Sequence, residues 1–273
     1  MKFAVLIFKM QLKERKRNNM KLIKQTKYLY ILSFIAIVLL LAGCSSTKKN
    51  RPQNAEDMYK QAMKEFKEDN LQEANQLFEV IKLQYAASKF ADDAQYHIAE
   101  INFKKDEYIL AAYNYNSLRR TYPTSKYYKT ALFKAAMCYY QLSPPFDRDQ
   151  EYTHKAIEKF QDYQRLYAGD TLSEKAGKYI DELREKLAHR AFFTSQLYLK
   201  LHSKKSALVY LDVVIAEFPD TKYYEMAYYE KIKILGSTYR TDELSLMVGK
   251  YKSLFPNGKY IKEVLAIEST KLK

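Results

Sequence analysis

From residue 59 onward the apolar side chains recur at intervals of three and four. Tyr59, Ala62 and Phe66 describe one stripe, and Ala74, Phe78 and Ile81 describe another. Side chains at those spacings share one face of an α-helix, so each stripe predicts a helix with a single buried side. Between them Glu68-Asp69-Asn70 is polar and carries no period. The pair therefore reads as two antiparallel helices joined by a short turn, with Ala62 and Ala74 small where the helices approach and Phe66 and Phe78 filling the space around that contact.

The pattern repeats. Tyr59, Ala62, Phe66, Leu71, Ala74, Phe78 and Ile81 each shift by 37 positions onto Tyr96, Ala99, Phe103, Tyr108, Ala111, Tyr115 and Leu118. A further step gives Phe133, Ala136 and Tyr140, after which residues around Ser143-Pro144-Pro145-Phe146 delay the second half to Ala156, Phe160 and Tyr163. The last full unit reads Tyr229, Ile232, Gly236, Thr241, Leu244, Val248 and Tyr251. A period of this size is the signature of a helical array. The expected fold is all-α, an α-solenoid of about five helix pairs.

Joints separate the units. Tyr122-Pro123-Thr124-Ser125-Lys126-Tyr127, Phe218-Pro219-Asp220-Thr221-Lys222-Tyr223 and Phe255-Pro256-Asn257-Gly258-Lys259-Tyr260 each end an apolar run on an aromatic residue and a proline, which stops a helix. The small polar residues that follow are expected to cap the next helix: Thr124 and Ser125, or Asp220 and Thr221. Tyr85-Ala86-Ala87-Ser88-Lys89-Phe90 and Tyr167-Ala168-Gly169-Asp170-Thr171 are versions without proline. After the latter, Thr171 and Glu174 suggest a capping box. It opens a helical run whose stripe continues to Leu201, either one long helix or two joined near Ala188-His189. The expected divisions are units one to three over 55–168 and units four and five with a terminal helix over 169–273.

The front of the chain follows another pattern. Residues 1–19 are basic and polar, and Met20 is a second possible start. Lys21, Lys24 and Lys27 precede an apolar stretch from Ile31 to Leu41, too short to span a bilayer core of about 30 Å. Small residues then lead to Cys44, as at a processing site. Residues 1–43 are therefore expected to be a leader that is removed. Residues 44–54 have the composition of a flexible tether, and Asn54 is a fair N-cap for the first repeat helix.

Charge and chemistry change this picture little. The whole chain holds 46 Lys and Arg against 32 Asp and Glu, but the first 43 residues carry nine of the former and one of the latter. The remainder, 37 against 31, is only mildly basic, with acids interspersed, and no nucleic-acid motif is present. Cys138, within Ala135-Ala136-Met137-Cys138-Tyr139-Tyr140, is expected to be a buried small hydrophobe. His97, His154, His189 and His202 are scattered, without metal-ligand spacing, and no glycine-rich phosphate loop occurs. No catalytic residue, metal or cofactor is expected. First helices of a stacked array line its inner surface, which makes Tyr59, Tyr96, Glu100 and Phe103 candidates for a peptide groove.

Leu41-Ala42-Gly43-Cys44 resembles the bacterial lipobox, in which the cysteine, here Cys44, carries the lipid; Ser45 after it favours the outer membrane. The helix-pair unit is similar to the tetratricopeptide repeat, with a slightly longer period and with Tyr59 or Tyr96 and Ala62 or Ala99 in place of that repeat's large aromatic and glycine. More narrowly, lipobox, tether, five units and the run from Leu187 to Thr221 resemble the BamD family of outer-membrane protein assembly lipoproteins. That resemblance implies a non-catalytic scaffold at the outer membrane, lipid-anchored and facing the periplasm. Its amino-terminal repeats would receive unfolded outer-membrane protein substrates, and its carboxy-terminal repeats would dock the periplasmic domains of a barrel insertase and other assembly-machine subunits. The alternative is another envelope lipoprotein of this repeat class that scaffolds cell-wall or division proteins.

Overall fold

The computed structural model describes residues 54–238 and 240–272, together with Met20. The leader, Cys44 and the tether up to residue 53 otherwise lie outside the described residues. The chain divides into a unit Met1–Arg51 and a unit Pro52–Lys273, and the second carries all that follows.

Eleven helices occur among the described residues, and no strand. Five antiparallel pairs run α1 (Ala55–Lys67) with α2 (Leu71–Gln84), α3 (Ala91–Lys104) with α4 (Tyr108–Thr121), α5 (Tyr128–Leu142) with α6 (Glu151–Leu166), α7 (Thr171–Lys200) with α8 (Lys204–Glu217), and α9 (Tyr223–Gly236) with α10 (Thr241–Leu254). The terminal α11 (Ile261–Lys271) packs on α9 and α10. Each helix packs chiefly on its neighbours in sequence, and first helices also touch the next first helix: α5 on α7, α7 on α9, α9 on α11. Second helices make no comparable contact, so the pairs fan apart on that side and the first helices lie on the inner side of the curve.

The repeated positions form the core. Ala62, Ala74, Phe78 and Ile81 are fully buried, as are Ala99, Ala111, Tyr115 and Leu118 one unit later. The first three units each close a cluster that takes in residues of the next unit's first helix, and the fourth and fifth units share one cluster with α11, so no unit buries its apolar face alone. Each fully buried ring contributes about 1.5–3 kcal/mol of transfer free energy.

The turns within three pairs share one geometry. Asp69, Asp106 and His202 take left-handed φ of 60°, 59° and 58°. The next residue's N–H then donates five residues back: Asn70 to Glu65, Glu107 to Asn102 and Ser203 to Tyr198, all at 2.9 Å. This is the Schellman closure, which satisfies the last carbonyls of the first helix.

Two expected details are corrected, and one with two alternatives is decided. The helix from residue 171 is capped by Asp170, whose carboxylate accepts from Leu172 N at 2.8 Å, so Thr171 lies inside the helix rather than opening a capping box. Ser125 and Thr221 are not the N-caps: those of α5 and α9 are Tyr127 and Lys222, whose side chains make no capping bond to the helix. Ser125 Oγ instead donates to Asp92 at 2.7 Å, Thr221 Oγ1 donates to the Phe218 carbonyl at 2.9 Å, and Asp220 holds Arg184 at 2.5 Å. The run from 171 to 200 is one helix of 30 residues, about twice the length of its neighbours. Asn54 caps α1 as expected, accepting from Asp57 N at 2.9 Å.

Candidate functional site: a ladder of rings, lysines and acids

Four of the five joints end on an aromatic residue that stacks against a ring on the preceding first helix. Tyr59 lies on Phe90 with centroids 4.9 Å apart and planes 19° apart. Tyr96 lies on Tyr127 at 4.0 Å and 8°, and Tyr229 on Tyr260 at 4.3 Å and 1°. In every such pair the partners are 31 residues apart, so the contact crosses one joint and ties successive first helices together. In the fourth unit His189 takes the ring's place, stacking on Tyr223 at 5.3 Å and 8°. Each stacked pair adds about 0.5–1.5 kcal/mol beyond its burial.

A lysine precedes each of these joint rings and folds over it. The Nζ atoms of Lys89, Lys126, Lys222 and Lys259 lie 5.0, 4.9, 5.0 and 5.2 Å from the centroids of Phe90, Tyr127, Tyr223 and Tyr260. A cation over a ring face at that distance is held by the ring's quadrupole, worth about 0.5–1 kcal/mol where solvent reaches it. The joint between α6 and α7 has no such lysine, and Lys129 of α5 substitutes, 5.4 Å over Tyr167 and paired with Asp170.

Two acids anchor the ladder in the first three units. Asp93 on α3 is buried, yet accepts from Tyr127 Oη at 2.7 Å, Lys126 Nζ at 2.8 Å and Tyr59 Oη at 3.3 Å. It therefore joins α1, α3 and the joint before α5. Glu100, two turns further along α3, accepts from Tyr115 Oη of α4 and from Lys134 Nζ of α5 at 3.2 Å. The same Lys134 ammonium sits 4.9 Å over the Phe103 ring. Burial, aided by Asp93, pushes the Tyr59 hydroxyl up to about 12. Burial raises Tyr96 and Tyr115 above the ordinary phenol range, with the Glu100 charge adding to it, and raises Tyr127 with Asp93 adding to it. All four stay protonated donors at neutral pH.

His97 occupies the middle of this framework. Rings of Phe66, Phe78, Tyr96, Tyr127 and Tyr59 surround it at centroid distances of 5.1, 5.1, 5.6, 6.3 and 6.5 Å. Its Nδ1 is buried without a hydrogen-bond partner. Burial holds its pKa below the ordinary imidazole value, outweighing Asp93 and Glu100, which act in the other direction.

The four candidate groove residues all lie on first helices, half-buried: Tyr59 on α1, and Tyr96, Glu100 and Phe103 along one face of α3. Lys134 brings Glu100 and Phe103 together, and Tyr96 joins Tyr59 through Tyr127 and Asp93. Asp93, Lys126, Tyr127 and Lys134 complete the cluster and escaped the sequence reading. The available signal was the 31-residue spacing between first-helix and joint rings, with lysine always one residue before the second.

Cys138 is fully buried and its thiol is pushed up to about 12 by burial, so it stays protonated at neutral pH. Among the described residues no group of three His, Cys, Asp or Glu could hold a metal ion, and no described helix is long and apolar enough to cross a membrane. Aromatic faces alternating with lysine–carboxylate pairs can grip an extended chain by stacking and by exchanging hydrogen bonds.

Helix pairs of this length, their antiparallel turns and their stacking define an array of the tetratricopeptide class. The chain belongs to the YfiO family, described as outer membrane lipoprotein, whose profile matches residues 51–244. It is similar to the outer membrane protein assembly factor BamD of Neisseria meningitidis serogroup B, at 20% identity over 254 residues, covering 85% of this chain and 94% of that protein. A tetratricopeptide repeat protein from Parabacteroides merdae, solved by crystallography, matches at 13% identity with a TM-score of 0.27, over 79% of this chain and 99% of that one.

Proposed function

We propose that this protein is a non-catalytic scaffold of outer-membrane protein assembly, lipid-anchored through Cys44 at the outer membrane and facing the periplasm. The ladder over α1, α3 and the joint before α5 grips extended segments of barrel substrates, and the carboxy-terminal repeats dock the insertase and other assembly-machine subunits. Membership of the outer membrane lipoprotein family supports the location, and the assembly-factor relative supports the process. The observation that carries the grip is the run of half-buried rings, each backed by a lysine and tied to a buried acid, on consecutive first helices. Tyrosine suits this use because its ring packs while its hydroxyl bonds.

The test is photo-crosslinking in intact cells from two positions. A reactive residue at Leu246, exposed on α10, is expected to capture a barrel insertase, and one at Lys126 an unfolded outer-membrane protein. Capture of cell-wall or division proteins at both positions would replace this reading with the alternative scaffold.

A further inference from the structure

The second half of α7 overhangs the unit before it. Along the side that faces α5, Tyr179 meets Phe133 and Tyr140 with centroids 6.4 and 4.6 Å apart, and Lys186 Nζ donates to Ser143 Oγ at 2.9 Å, where α5 ends. One turn further Arg190 donates to the Arg148 carbonyl, and Phe193 packs on Phe146 of the insert with centroids 5.3 Å apart. There the preceding unit ends. Leu197 and Leu201 continue the same line at helical spacing, and Phe193, Leu197 and Leu201 are 47%, 46% and 64% exposed. On the opposite face Ala188, Ala191 and Ser195 are buried against α8, so the exposed line is not a displaced core face.

The charges within the segment that carries that line are of one sign. From Lys186 to Leu211 the chain has 26 residues with no Asp or Glu, whereas acids make up 32 of all 273 residues, enough to expect about three in such a stretch. The same stretch holds Lys186, Arg190, Lys200, Lys204 and Lys205. Lys200, Lys204 and Lys205 are exposed and flank the α7–α8 turn beside Leu201. In the chain Glu185, paired with Lys222, precedes the stretch and Asp212 follows it; Asp212 and Glu243 line a surface hollow with Lys204 and Lys205, but their charges are taken up by Lys231 and Arg240. A protein partner, whose own surface mixes both signs, tolerates acids at a contact. An anionic bilayer repels every one.

We propose that the α7 overhang and the α7–α8 turn form a second membrane contact, in which Phe193, Leu197 and Leu201 enter the interface of an anionic bilayer while Lys200, Lys204 and Lys205 meet its headgroup phosphates. Large apolar residues on one side with lysines beside them and no acids is the composition of an interfacial helix. The family's lipid-borne attachment places such a surface within reach. This contact is separate from the peptide grip at α1 and α3 and stands whether or not that grip holds.

The chain contains no tryptophan, so a single introduced one reports on its own surroundings. The unit Pro52–Lys273 contains all four core clusters and serves as the lipid-free test protein. Leu197→Trp emission is expected to shift to the blue with vesicles containing phosphatidylglycerol but not with phosphatidylcholine alone, and to be quenched by acyl-brominated lipid. Leu110→Trp, equally exposed on α4, is expected not to respond. Replacing Lys200, Lys204 and Lys205 by Gln should weaken binding roughly a hundredfold, from about a kilocalorie per basic residue near an anionic surface. An unresponsive Leu197→Trp, an equal response at residue 110, or undiminished binding by the triple variant would overturn the proposal. So would a photo-reactive residue 197 in the full-length chain that yields protein adducts rather than lipid adducts in intact cells.

Discussion

Asp93 offers the sharpest test of the ladder, because one buried carboxylate on α3 serves three donors, one on α1 and two in the joint before α5. Replacing it with Ala strands the Tyr127 hydroxyl, whose 2.7 Å bond to a charged acceptor is worth about 1.5–3 kcal/mol. The Tyr59 bond is longer at 3.3 Å and belongs near the bottom of the ordinary range of about 0.5–1.5 kcal/mol. The Lys126 side chain is 65% exposed, so its ion pair adds less than about 1 kcal/mol after screening. Together these predict a loss of about 3 kcal/mol for Asp93→Ala. Asp93→Asn, which keeps the shape but turns an amide donor towards other donors, should lose somewhat less.

Because each unit contacts only its neighbours, the loss should be local. Native-state hydrogen exchange of the unit Pro52–Lys273 should show amides of α1 to α5 opening more readily while those of α9 and α10 keep their protection. A double-mutant cycle of Asp93→Ala with Tyr127→Phe should give a coupling of at least about 1.5 kcal/mol. A loss below about 0.5 kcal/mol, or additive single effects, would show that Asp93 is a bystander and that stacking alone holds the joint.

Four further outcomes are expected. A Cβ at Gly258 would lie 2.5 Å from Glu225 Oε1 and 2.8 Å from Tyr251 Oη; Gly258→Ala should therefore cost about 1–3 kcal/mol, read by thermal melting, and Glu225→Asp should recover part of it. His97 binds its proton less well folded than unfolded, so its contribution is complete above the ordinary value of 6.5 and is lost as pH falls below it; stability measured between pH 7 and 5 should drop less in His97→Phe. His202 holds a left-handed φ of 58°, and His202→Gly should raise stability by about 1 kcal/mol in urea unfolding. The proposed lipid anchoring through Cys44 predicts that Cys44→Ser moves part of the protein from the membrane pellet to the soluble fraction.

The 37-residue shift was legible because core positions face inward in every unit, and Phe78 and Tyr115 fill equivalent places whatever their chemistry. The caps were misread because local residue preference competes with a neighbour in space. Ser125 is a good N-cap by type, but Asp92, 33 residues away, takes its hydroxyl. Nothing in the sequence separates Asp93 from its neighbour Asp92, and only the fold reveals that Tyr59 and Tyr127 converge on it. The stripe through residues 171–201 fitted one helix or two equally well. The single helix won because Ala188 and Ala191 pack on α8 without a break and no proline or glycine interrupts them.

Two places 133 residues apart show how the joints tolerate change. Asp92 with Ser125 and Glu225 with Gly258 occupy equivalent positions, and the longer carboxylate fills the space left by the missing hydroxymethyl group. Glu225 then accepts from Tyr251 Oη at 2.6 Å and, more weakly, from Tyr260 N at 3.4 Å. The acid and the small residue change together, which a site free to drift would not require, so the ring-stacked joint is what these exchanges preserve. By the same reasoning a departure without a compensating partner points away from architecture. The overhang of α7 is such a departure: Leu197 and Leu201 are 46% and 64% exposed and belong to none of the core clusters, so the packing of the array does not require large apolar residues there. Their presence beside lysines alone therefore calls for something outside the chain that prefers them.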